Sequence, residues 1–87
     1  MNNNIIIAAA VVAGIYFIIQ RQKGYDLIKG KDAPGNDITR VDGSVKQLMS
    51  VCDKEPKCKG FNTNGWLKGI IGRQNLITAS SDLYIKR

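Results

Sequence analysis

Histidine is absent from this 87-residue chain, and glutamate occurs once, at Glu55. The first gap removes the side chain that most often serves as a general base near neutral pH and as a metal ligand. No serine sits in a nucleophile elbow, and Gly69-Ile70-Ile71-Gly72 is not a phosphate-cradling loop. The acidic group Asp32, Asn36 and Asp37 lacks the spacing of a calcium loop. Flanking Pro34-Gly35, it reads as hydrogen-bonding support for the turn. The inventory predicts no enzyme, no metal, no cofactor and no small-molecule substrate.

Other absences narrow the class further. There are only two cysteines, Cys52 and Cys58, and their spacing is neither a redox nor a zinc pattern. They are either two small buried hydrophobes or a bonded pair. Basic residues exceed acidic ones, 13 to 7, for a net charge of +6, yet no basic run is longer than Lys86-Arg87. A nucleic-acid footprint wants clustered charge with interleaved aromatics, so the excess reads as solvated surface. The chain has no internal repeat, no low-complexity segment and no glycosylation sequon.

What the chain does have is one long apolar run, Ile5 to Ile19, with Tyr16 as its sole polar group. As a helix it would reach about 22 Å, and flanking residues bring it near the lower limit of a membrane span. Small residues lie inside the run and bulky ones at its end, which disfavours a cleaved signal peptide. The run therefore predicts a retained transmembrane helix from about Asn3 to Arg21. Its anchor residues are Ile5, Ile6, Ile7, Val11, Val12, Ile15, Tyr16, Phe17, Ile18 and Ile19. Arg21, Lys23, Lys29 and Lys31 all follow it, which predicts a cytosolic carboxyl side.

The expected organisation is an anchor with its basic flank over 1–23 and a small α+β domain over 24–87. Ser44-Val45-Lys46-Gln47 has the form of a capping box. Val45, Leu48, Met49 and Cys52 then share one helical face, and Pro56 stops the helix, giving Val45 to Lys54. Strands are predicted near Tyr25–Gly30, Ile38–Val41, Cys58–Thr63, Trp66–Lys68 and Ser81–Lys86. Asn64-Gly65 marks a hairpin, and Gly69 to Ser81 reads as a loop. One helix packed on an antiparallel sheet is the fold class expected of these elements.

The segment Cys52-Asp-Lys-Glu-Pro-Lys-Cys58-Lys-Gly-Phe-Asn-Thr-Asn-Gly-Trp-Leu-Lys68 resembles the signature of PAN/apple domains. The resemblance implies a sheet with one helix across it and a Cys52–Cys58 disulfide. A second family disulfide would fall at Leu48 and Gly65, and both of its cysteines are missing here. The whole layout is also similar to small proteins of large icosahedral double-stranded DNA viruses of the phycodnavirus-like group. That likeness implies a minor capsid component in the virion's inner membrane, where viral sulfhydryl oxidases would allow a cytosol-side disulfide.

Two functions follow as expectations. The first is a structural tether between the lipid bilayer and the capsid or other minor capsid proteins. The second is a membrane-anchored PAN-type module recognising a glycan or a host protein. Candidate contacts are Trp66, Leu67, Ile70, Ile71, Leu76, Ile77 and Tyr84; Trp66 and Tyr84 could equally be core residues, and for Trp66 the core reading is preferred. Four aliphatics in one long loop are hard to bury in about sixty residues, and exposing them together invites association.

Overall fold

The computed structural model describes residues 8–12, 15–22 and 24–87. In chain order the strands are β1 (Ala8–Val12), β2 (Ile15–Gln22), β3 (Tyr25–Ile28), β4 (Lys31–Asp32) and β5 (Asp37–Arg40). Helix α1 (Val45–Lys54) follows, then β6 (Gly60–Asn62) and β7 (Trp66–Lys68). One 3-10 turn (Arg73–Asn75) precedes β8 (Ile77–Thr78) and β9 (Leu83–Lys86). Among the described residues, seven strands form one sheet in the order β1-β2-β3-β9-β6-β7-β5, with every paired neighbour antiparallel. Strands β4 and β8 make a separate pair.

The expected transmembrane helix is corrected by this sheet. Val11 and Val12 lie in β1, and Ile15, Tyr16, Phe17, Ile18 and Ile19 lie in β2. The two strands pair with each other, and β2 pairs with β3, Arg21 standing opposite Asp26. Ile5, Ile6 and Ile7 lie outside the described residues. Among the described residues, no helix is long and apolar enough to cross a membrane. The physical reason is that an unbroken apolar run carries no period that separates helix from strand. Its Ile, Val, Phe and Tyr residues favour the pleated state once a sheet edge is present to receive them.

Helix α1 forms for local reasons. The Ser44 side chain accepts the Gln47 N–H at 3.2 Å, and the Gln47 side chain accepts the Ser44 N–H at 2.7 Å. Both ends of the capping box are therefore closed. At the other end Lys86 reaches over from β9 and donates to the Cys52 carbonyl at 2.6 Å. A cation there offsets the negative pole of the helix and satisfies a free carbonyl.

Strand alternation divides the core between the two faces of the sheet. On the helix side Leu48, Met49 and Cys52 cover Tyr25, Leu27, Phe61, Leu67 and Tyr84. Phe61 is the centre: it stacks on Tyr84 with centroids 5.1 Å apart and meets Tyr25 edge-on at 5.6 Å. On the opposite side Ile28, Ala33, Leu83 and Ile85 form a second cluster, packed against Ile71 and Leu76. Each large apolar side chain so buried contributes roughly 1.5–3 kcal/mol relative to exposure. Burial on both faces explains how so short a chain supports a folded domain. The Cys52–Cys58 disulfide is present, with Cα atoms 5.3 Å apart, and ties the end of α1 to the approach to β6.

Candidate functional site

Strand β5 ends the sheet, and all four of its residues are exposed. Its register with β7 is broken by a bulge between Asp37 and Thr39, after which Arg40 stands opposite Trp66. Cross-strand partners project on the same side of a sheet, so the Arg40 and Trp66 side chains are neighbours. Trp66 remains 38% exposed and is not part of either core cluster.

Beside this pair lies a polar recess of about 200 Å³. The segment leaving β5 (Arg40, Val41, Asp42) forms one wall, and the β6–β7 turn (Thr63, Asn64, Gly65) forms the other. The walls are joined by Val41 N–H to the Gly65 carbonyl at 2.9 Å and by Arg40 Nε to the Asn64 carbonyl at 3.1 Å. Gly65 is required at this point. Its φ is +97°, and a Cβ would come within 2.2 Å of the Val41 carbonyl oxygen. The guanidinium of Arg40 also pairs with Asp42 at 2.9 Å, both side chains being well exposed.

Behind the recess, Asn62 fixes the hairpin. Its buried side-chain oxygen accepts the N–H groups of Asn64 and Trp66, each at 3.1 Å, and its amide donates to Asp32 at 3.1 Å. Asp32 in turn lies 3.9 Å from the ammonium of Lys68. The Lys68 side chain is 3% exposed, and its ammonium is paired with Asp37. Asp32, Asp37, Asn62 and Lys68 thus form one polar network running from the β4 strand to the edge of the main sheet. Sequence reasoning gave Asp32 and Asp37 only a turn-supporting role and missed Lys68. The available signal was alternation, since Lys68 follows Trp66 by two and shares its face. Among the described residues no group of acidic or sulfur side chains is arranged to hold a metal ion.

A second concavity, an open groove of about 460 Å³, runs past the start of β5. Ile38 and Ile70 contribute apolar wall, and Lys57 and Lys59 contribute charge. Of the candidate contact residues, Leu67 and Tyr84 are inside the helix-side core. Ile71 and Leu76 pack beneath the other face of the sheet. Trp66, Ile70 and Ile77 remain substantially exposed, at 38%, 64% and 50%. Trp66 and Ile70 are carried near the β5–β7 edge, whereas Ile77 sits on β8, opposite Asp32.

Two proteins of Acanthamoeba polyphaga mimivirus are similar to parts of this chain. One, named "Putative fucosyltransferase", is 33% identical over 55 residues, which are 63% of this chain and 9% of that protein. The other, named "Putative glycosyltransferase", is 34% identical over 70 residues, covering 72% of this chain and 22% of that protein. The chain therefore spans less than a quarter of the length of either relative. No family model matches the chain, and no solved structure does. The similarity corrects the expectation that the chain stands apart from enzymes. That expectation rested on missing residue types, whereas both relatives bear the names of sugar-transferring enzymes.

Proposed function

We propose that this chain is a carbohydrate-recognition module that works with sugar-transferring enzymes. The observation that carries the reading is the pair of mimivirus relatives. Each match covers more than half of this chain, so the two matched regions overlap. A stretch this short, common to two much longer proteins with sugar-transfer names, behaves as a portable unit. The resemblance of Cys52 to Lys68 to PAN/apple domains supports the same role, because that family includes binding modules. The recess between the Arg40–Asp42 segment and the β6–β7 turn supplies the kind of surface such a role needs. It is small and concave, and it offers carboxylate, hydroxyl and backbone groups to hydroxyl ligands.

A monosaccharide of about a dozen heavy atoms, at roughly 0.3 kcal/mol per atom, binds with Kd on the order of 1 mM. Repeated sugar units raise the effective affinity through multiple contacts. The full chain, tagged and displayed in multivalent form, is expected to bind a defined subset of glycans on a printed array. Isothermal titration with the free glycans should then confirm saturable binding. A chain that binds no glycan in either assay overturns this function.

A further inference from the structure

We infer that Trp66 and the recess beside Arg40 form the sugar subsite, and that it takes a neutral pyranose rather than an acidic sugar or a phosphate. The inference rests on the carbohydrate-recognition reading and assigns its place and its ligand class. Saccharide binding needs two surfaces side by side. An aromatic face covers the apolar C–H face of the ring, and planar polar groups meet the hydroxyls at its rim. Trp66 is an aromatic side chain left open to solvent outside both core clusters, directly across the strand pair from Arg40. Asp42, Thr63 and Asn64 line the adjoining recess.

The position is built, not incidental. Asn62 holds the Trp66 backbone N–H, the Val41–Gly65 hydrogen bond holds the two walls together, and Gly65 permits their close approach. A large aromatic ring left 38% exposed at such a braced position offers a face on which a ligand can pack.

Charge decides the ligand class. The Arg40 guanidinium is paired with the Asp42 carboxylate at 2.9 Å, and its Nε donates to the Asn64 carbonyl at 3.1 Å, so the charged groups lining the recess cancel. A uronate or phosphate would have to compete with Asp42 and would then face its carboxylate unpaired. Hydroxyls instead find an accessible acceptor in Asp42, whose side chain is 84% exposed, and remaining N–H groups on Arg40.

Trp66 is the sole tryptophan of the chain, so its fluorescence reports on this site alone. The full chain is titrated with the methyl glycosides of fucose, galactose, glucose and mannose, and in parallel with glucuronate and inorganic phosphate. At least one neutral glycoside should change the emission saturably, with little dependence on salt. Amide resonances of residues 40–43 and 63–66 should shift with the same titration curve. Trp66→Phe should retain binding within severalfold, and Trp66→Ala, followed by the amide resonances, should weaken it about tenfold or more. Undiminished binding by a folded Trp66→Ala chain overturns the subsite while leaving carbohydrate recognition standing. Tighter binding of glucuronate or phosphate overturns the neutral ligand class. Absence of any response here, together with an array on which no glycan binds, overturns both the subsite and the function beneath it.

Discussion

The Tyr25 hydroxyl donates to the Asp53 carboxylate at 2.6 Å, joining β3 to the outer side of helix α1. The same hydroxyl lies 3.3 Å from the Met49 carbonyl. Burial, then the hydrogen bond to Asp53 and its charge, push the phenol well above its usual range. Tyr84 moves in the same direction, through burial first and then the charge of Asp82.

Both tyrosines therefore keep their protons in the folded chain at a pH where the unfolded chain has lost them. The stability they contribute is complete below the unfolded pKa of about 10 and is lost as pH rises above it. Thermal unfolding midpoints should fall steeply above about pH 10. Tyr25→Phe should cost about 1 kcal/mol at neutral pH and flatten that alkaline decline. A decline as steep in the variant as in the parent would show that Tyr25 is not its source.

The disulfide closes a short loop between α1 and β6. Replacing Cys52 and Cys58 together by alanine should cost about 2 kcal/mol, chiefly by freeing the unfolded chain. Chemical denaturation of the parent chain, with and without reductant, should show a loss of the same size. Intact mass before and after reduction and alkylation reports whether the bond is formed.

Lys68 and its two carboxylates should respond asymmetrically. The ammonium is almost fully buried, whereas the Asp37 side chain is 36% exposed and Asp32 20% exposed. Asp32→Asn combined with Asp37→Asn strands a buried positive charge and should cost roughly 3–5 kcal/mol. Lys68→Met leaves carboxylates that water can reach, and should cost clearly less. Urea denaturation of the three chains tests this, and equal losses would show that hydration of the acids is not the deciding term.

The N-terminal hairpin is open to direct measurement. Backbone chemical shifts over residues 15–22 should be those of extended chain, with cross-strand contacts between Arg21 and Asp26 and between Ile19 and Ile28. Helical shifts over the same residues would return the segment to the state that its apolar run first suggested.

The sequence by itself determined the elements whose cause is local. Ser44 and Gln47 specify a helix start whatever surrounds them, because the groups that close the capping box are three residues apart. The apolar stripe of Leu48, Met49 and Cys52 gives that helix one buried face, and Pro56 bars its continuation. Asn64-Gly65 places a hairpin for a similarly short-range reason.

Tertiary structure decided what depends on partners distant in the chain. The run from Ile5 to Ile19 suits a helix or a strand, and the β3 edge, not its composition, sets β1 and β2. Ile71 and Leu76 gain cover only in the assembled fold, where they pack against Ile28, Ala33, Leu83 and Ile85. Trp66 reads as a core residue, yet in the assembled sheet it stands across from the edge residue Arg40 and stays 38% exposed, outside both clusters. Lys68 becomes buried only where Asp32 and Asp37, more than thirty residues earlier, arrive to balance it. Hydrogen bonds and side-chain periods act over a few residues, whereas burial is a property of the assembled surfaces.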